Sequence, residues 1–440
     1  MIASHKLRKR DIYLNKLIAF QDTEPIKVVT GIRRCGKSSL LKLMADHLRE
    51  NGVNDEQIIE MNFESYEFIK MTADDLYQYV KERSLPGKRM YLFFDELQRM
   101  AGWENTINAF RVDLDCDIYI TGSNAYLLSS EYSTYLSGRC VEIKMLPLSF
   151  AEFIDFHGFT IQKVKSALGG TKKQAVDADG TRYELREIFD AYMRYGGMPG
   201  IADVGLEQDK ALTLLDGIYS TVIVRDILER EKRRGQRQIT DAILLKKIIL
   251  FLADNIGSSV SVSSIGNTLV NEGLLDEGSR KTKPSAHTVQ AYVNALLEAY
   301  FFYDIKRFDI KGKEFLRTLG KYYIVDIGLR NYLLGFRNRD SGHAIENVVY
   351  FELLCRDYDV AIGKVGTAEV DFIATKADEK LYVQVTESME SETVRTRELA
   401  PLQKIADNYE KIVLSLNPGL DSSYEGIKSR NLIDWLLESR

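Results

Sequence analysis

The sequence predicts an α/β protein: a parallel-sheet core, a helical segment, a winged-helix unit and a second, smaller α/β domain. Three observations lead there. Between residues 26 and 146, the β-branched and aromatic runs "IKVVTGI", "IIEMNFE", "MYLFFDEL", "CDIYITGS" and "CVEIKML" alternate with helical patterns, as in a parallel sheet covered on both faces. From about 149 to 234 the pattern turns helical, interrupted at "RYGGMPG". Residues 240–305 then hold three helix-length patterns, followed by strand-like "YDIKRFD" and "YYIVDIG", which is the order of a winged helix.

The last segment, 343–440, reads as a helix, hairpin strands "AEVDFIAT" and "KLYVQVTE", a helix, the strand "KIVLSL" and a final helix. With 440 residues, and about 100–200 residues to a domain, several domains are required. The boundaries expected are 1–148 for the core, 149–235 for a helical lid, 236–335 for the winged helix and 336–440 for the small α/β domain.

Composition narrows the function classes. Apolar residues at 45% and charged residues at 28% exclude a disordered chain. No apolar run approaches the roughly 18 residues of a membrane span, and the charged start "MIASHKLRKRDIYLNK" is unlike a signal peptide, so a cytoplasmic protein without membrane contact is expected. Four scattered cysteines, without a C-x-x-C pair or clustered histidines, indicate neither a disulfide framework nor structural zinc. A net charge of -5 argues against coating nucleic acid with the whole surface but leaves room for a local basic patch.

Gly31 and Gly36-Lys37-Ser38 satisfy G-x-x-x-x-G-K-[ST] between a strand and a helix. Loop amides from Gly31 through Arg34, Cys35, Gly36 and Lys37 to Ser38 and Ser39 then converge with the positive helix end on one phosphate position. Lys37 is expected to reach the β- and γ-phosphates, and the Ser38 hydroxyl to bind Mg²⁺. The strand "YLFFDE" adds Asp95 for the Mg²⁺ shell and Glu96 to polarise an attacking water. No N-K-x-D segment for guanine follows a strand, which favours ATP. A third strand ends in Thr121, Ser123 and Asn124, of which Ser123 and Asn124 are candidate sensors of water or γ-phosphate, or simple turn formers. Arg33 and Arg34 are surplus to phosphate binding and are expected to face an adjoining domain or subunit.

The segments "GIRRCGKSSLL", "NFE", "FFDELQ", "TGSNAYLLS" and "LSGRCVEIKMLPLSFAEF" resemble a prokaryotic family of AAA+ P-loop ATPases over about residues 10–155. That resemblance implies a sensor strand between the P-loop and Asp95 strands. It also makes Arg139 in "SGR" a candidate arginine finger or sensor, or else a structural ion pair. The remainder, with "YGGMPG", "LGKYYIVDIGLRNYLLG" and "EVDFI", resembles the domain of unknown function that accompanies this core.

The C-terminal order also resembles restriction-endonuclease-like PD-(D/E)xK folds, in which carboxylates surround Mg²⁺ and a lysine steadies the attacking water. Glu346 and Asp371 match that pattern, whereas Gln384 stands at the second acid and Thr386 at the lysine. Glu387 falls on the opposite face of the strand, so the resemblance implies a degenerate, catalytically silent site. Segment 306–321 is basic and follows the recognition-helix pattern at 285–302; Lys281, Lys283, His287, Gln290, Lys306, Arg307 and Lys313 are the candidate contacts to duplex DNA, with a protein partner or homo-oligomer as the alternative. The reading is an Mg²⁺- and ATP-dependent switch; a scaffold that barely hydrolyses and an ATP-regulated nuclease are the competing classes.

Overall fold

The computed structural model describes residues 7–123, 138–165, 171–228, 239, 241–271, 284–337, 341–417 and 422–438. The chain divides into two compact units: Met1–Met145 with Glu298–Tyr300, and Leu146–Leu297 with Phe301–Arg440.

The first unit is built on five parallel strands, β1 (Ile26–Thr30), β2 (Ile58–Asn62), β3 (Met90–Asp95), β4 (Cys116–Gly122) and β5 (Cys140–Lys144), in the order β2-β3-β4-β1-β5. Every residue of β1 and β3 is buried, as continuous apolar strands covered on both faces must be. The edge strands β2 and β5 mix buried and exposed positions. The sensor strand β4 lies between β1 and β3, the order that the sequence resemblance implies.

Helices Lys37–Glu50, Ala73–Arg83 and Trp103–Asp113 follow β1, β2 and β3. Thr72 and Asp75 form a reciprocal capping box that starts the second of these, and Leu76 and Val80 turn its apolar side into the core. Beneath the sheet Lys27 is fully buried and ion-paired with Asp117, whose carboxylate also accepts from Tyr119. Pairing and hydrogen bonding are what make a charge tolerable there.

In the second unit, residues 149–235 are helical only in part. Helices Phe150–Phe156, Leu185–Tyr195 and Gln208–Thr221 are present. Between the first two runs an antiparallel sheet of β6 (Thr160–Lys165), β7 (Thr171–Val176) and β8 (Arg182–Glu184), which corrects the expected all-helical lid. The reason is local: strand-forming Thr, Ile and Val are followed by "DADG", where Asp177 accepts the amides of Asp179 and Thr181 and Gly180 takes a positive φ.

Nine strands form the large sheet of this unit: β9 (Ser259–Val260), β10 (Phe302–Asp309), β11 (Glu314–Ile324), β12 (Asp359–Val365), β13 (Ala368–Lys376), β14 (Glu379–Thr386), β15 (Glu410–Ser415), β16 (Ser422–Tyr424) and β17 (Ile427–Asn431). Their order is β16-β17-β15-β14-β13-β12-β10-β11-β9. The hairpin β10–β11 follows helices Ala242–Asp254, Val262–Asn271 and Ala286–Glu298, as in a winged helix, yet β10 also pairs in parallel with β12. One continuous sheet therefore spans both 236–335 and 336–440. Helix Ser341–Cys355 packs its apolar positions, among them Ile345, Val349 and Leu353, into a core shared with Tyr323, Phe372 and Val383.

Candidate functional site

Residues 31–36 cross from β1 to the helix that begins at Lys37. Gly31 has φ +142°, and a Cβ there would lie 2.1 Å from the Met145 carbonyl oxygen beside β5. Only glycine lets the loop backbone approach this closely. Gly36 caps the helix at φ +106°, and Arg34 is left-handed at +63° with its side chain exposed. Lys37 is buried, its Nζ donating to the carbonyls of Gly31 (2.9 Å) and Ile32 (3.1 Å). Cys35 is buried, whereas Ser38 stands exposed in the first helical turn and Ser39 is half-buried.

The ends of β2, β3 and β4 meet beside this loop. Asp95 is buried and accepts from Thr121 Oγ1 (2.5 Å) and Asn62 Nδ2 (2.8 Å). Thr121 Oγ1 in turn accepts the Glu96 amide at 2.9 Å. Glu96, at φ +56°, holds a conformation uncommon outside glycine. Gln98 Nε2 (2.7 Å) and Ser123 Oγ (3.3 Å) both donate to its Oε2. Asn124 lies outside the described residues.

Arg33 turns inward. Its Nη1 is 3.1 Å from Glu64 Oε1 and its Nη2 is 3.6 Å from Glu96 Oε2, which corrects the expectation that it faces away from the site. The neighbouring strand ends present two carboxylates within its reach. Arg139 stands away from the loop. Its carbonyl accepts the Ile26 amide where β1 and β5 begin, so it sits at the N-terminal edge of the sheet. From Ile26 to Thr30, about 13 Å of strand at ~3.3 Å per residue separates it from the phosphate loop, farther than its side chain spans. Its side chain does not reach the phosphate loop of its own chain.

In the second unit the structure brings Glu346, Asp371 and Gln384 together and adds residues that the sequence did not single out. Lys321, from β11, places Nζ 2.9 Å from Glu346 Oε1 and 3.0 Å from Glu369 Oε1. Tyr323, two residues on along the same face, donates to the same Glu346 oxygen, and His343 Nδ1 is 3.5 Å from Oε2. Burial would raise the Glu346 carboxyl, but the His343 hydrogen bond and the Lys321 charge hold it below its usual value. Burial, and then the Glu346 charge, push Asp371 well above the carboxylate range.

Gln384 accepts the Asp371 amide (3.4 Å) and donates to Glu398 (2.9 Å). Thr386 stands apart, its hydroxyl donating to the Ser388 carbonyl. An inward lysine alternating with an inward tyrosine in "KYYIVD" is the signal that could have revealed Lys321. Among the described residues no group of three or more His, Cys, Asp or Glu is arranged to hold a metal ion.

Of the expected duplex contacts, His287, Gln290, Lys306 and Lys313 are exposed. Arg307 is half-buried and lies 3.8 Å from Glu369 within the sheet, so it is drawn away from a basic surface. Lys281 and Lys283 lie outside the described residues.

A glycine loop between strand and helix, with an Asp-Glu pair at the end of the next strand but one, defines a P-loop ATPase of the AAA type. Residues 23–154 match the family model described as an AAA domain, and residues 186–340 match that of a domain of unknown function, DUF8612. An uncharacterised protein of Haemophilus influenzae is 39% identical over 99% of this chain and 100% of its own length. The chain belongs to the family of that protein: AAA-type P-loop ATPases with a C-terminal domain of unknown function. An uncharacterised protein of Methanocaldococcus jannaschii is 29% identical over 91% of this chain and 81% of its own. Among solved structures, a Walker-type ATPase of Pyrococcus abyssi is similar with a TM-score of 0.47 and 18% identity, covering 74% of this chain and 95% of that one. Among the described residues no helix is long and apolar enough to cross a membrane.

Proposed function

We propose that the chain is an Mg²⁺-dependent ATPase whose nucleotide cycle switches the state of its second unit toward a DNA or protein target. The observation that carries this reading is the carboxylate pair: Asp95 is oriented by Thr121 and Asn62, and Glu96 follows it with one oxygen anchored by Gln98 and Ser123. Loop amides and Lys37 would hold the phosphates. The oxygen donors Ser38 and Asp95 suit Mg²⁺, which when bound neutralises charge developing on the phosphoryl oxygens. Glu96 would polarise the attacking water, Asn124 would sense the γ-phosphate, and Arg139 is left a role toward a second copy of the chain. Turnover that needs Mg²⁺ and is abolished by Glu96→Gln tests this; binding without turnover would favour a scaffold.

The second unit fits recognition better than cleavage. Lys321 neutralises Glu346 and Glu369 from within, and Gln384 supplies no second charge beside Asp371. Plasmid nicking with Mg²⁺ or Mn²⁺ that Asp371→Ala abolishes would reverse that view. Duplex DNA is favoured as a target by one feature: on helix Ala286–Glu298, His287, Gln290 and Asn294 form an exposed polar stripe, and the hairpin that follows in the chain exposes Lys306, Lys311 and Lys313. Affinity falling steeply with salt supports DNA; no salt-dependent binding supports a protein partner.

A further inference from the structure

The arginine of the phosphate loop bears on catalysis by a route other than phosphate contact. The Arg33 guanidinium is only 14% exposed and forks between two carboxylates, Nη1 toward Glu64 and Nη2 toward Glu96. Glu64 is itself fixed: Arg99 Nη1 is 2.9 Å from the same Oε1, and the Glu64 amide donates to Asn62 Oδ1 at 2.7 Å. Asn62 also donates through Nδ2 to Asp95. A closed circuit results, running from Asp95 through Asn62, Glu64 and Arg33 to Glu96, which adjoins Asp95 in the chain. It joins the phosphate loop to the ends of β2 and β3.

The circuit loads one side of Glu96. Gln98, Ser123 and Arg33 all address Oε2, and among the described residues no partner contacts Oε1. A carboxylate anchored by one oxygen presents the other in a defined direction, which is what a base must do for a single water. Both the arginine and the glutamate are largely removed from solvent, at 14% and 8% exposure, so their attraction is less screened than that of a surface pair.

We infer that Arg33 is a positioning residue for hydrolysis, setting the Glu96 carboxylate through the Glu64–Arg33 circuit rather than gripping phosphate. The inference rests on Glu96 being the base. It also explains why two arginines stand in one phosphate loop: Arg34 points to solvent, and Arg33 serves the base.

The test separates kcat from nucleotide affinity in the full-length protein. Arg33→Ala should lower kcat about tenfold or more, while the Kd for N-methylanthraniloyl-ATP stays within about twofold. Arg33→Lys should recover part of the rate, because an ammonium can serve one carboxylate but not fork between two. Glu64→Gln should lower kcat in the same direction by a smaller factor. A tenfold loss of nucleotide affinity in Arg33→Ala would make Arg33 a phosphate ligand and overturn the inference. So would an unchanged kcat in an enzyme that Glu96→Gln inactivates, which leaves the ATPase reading intact. Bound nucleotide with no turnover in the wild type defeats both.

Discussion

Replacing Lys321 by methionine keeps most of the side-chain volume and removes the charge at the centre of the carboxylate cluster. Glu346 is left buried, at 9% side-chain exposure, having lost a 2.9 Å ion pair. Breaking such a pair from one side costs about 3–5 kcal/mol. Glu369, at 32% exposure, faces water and adds no more than about 1 kcal/mol. Unfolding of the second unit can be followed through Trp435, which is 3% exposed beneath the Arg356 guanidinium, in a Trp103→Phe background that silences the other tryptophan. With a urea dependence of about 2–3 kcal/mol per molar, the midpoint at neutral pH should fall by about 1–2.5 M. Adding Glu346→Gln to Lys321→Met should restore much of the loss, since the orphaned charge goes with it. A midpoint shift below about 0.3 M, or a double variant weaker than the single, would refute the view that Lys321 serves as the internal counter-ion.

Two further outcomes follow from particular atoms. Gly31→Ala combines a left-handed φ with a Cβ 2.1 Å from a backbone oxygen, so N-methylanthraniloyl-ATP affinity should fall at least about tenfold while circular dichroism stays near wild type. Retained affinity would show that the loop tolerates a side chain. Asp326 is buried, which pushes its carboxyl up to about 6 against the opposing hydrogen bonds from the amides of Gly197, Leu329 and Gly328. The folded state therefore binds a proton that the unfolded state does not between about pH 4 and 6. This group costs stability above pH 6 and the cost is relieved as pH falls to 4, by roughly 3 kcal/mol for about two units. Asp326→Asn should lack that dependence; parallel wild-type and variant stability curves would contradict the assignment.

The parallel core was legible because its central strands are mostly apolar, the Lys27–Asp117 pair aside, and its motifs sit at their ends. The sheet Thr160–Glu184 was not, because β6 is exposed at nearly every position and β7 reads "TKKQAV", leaving no apolar alternation to detect. The carboxylate cluster was half legible. Glu346 and Asp371 stand in a recognisable order, but Lys321 comes from the hairpin before them, and only the parallel pairing of β10 with β12 carries that hairpin into the same sheet. The direction of Arg33 depended on Glu64 and Glu96 converging from two other strands, which spacing along the chain does not encode. Arg139 could not be placed from "SGR" alone: only its position before a parallel strand sets it at the edge opposite the phosphate loop.

The proposed ATPase hydrolyses ATP through Glu96, in a site formed by the phosphate loop and Asp95. Steady-state phosphate release by the full-length wild type and Glu96→Gln, with Mg²⁺ and with EDTA, tests it most directly. Turnover should depend on Mg²⁺ and fall by about 10²-fold or more with the substitution while nucleotide still binds. Equal turnover in the two proteins would contradict it.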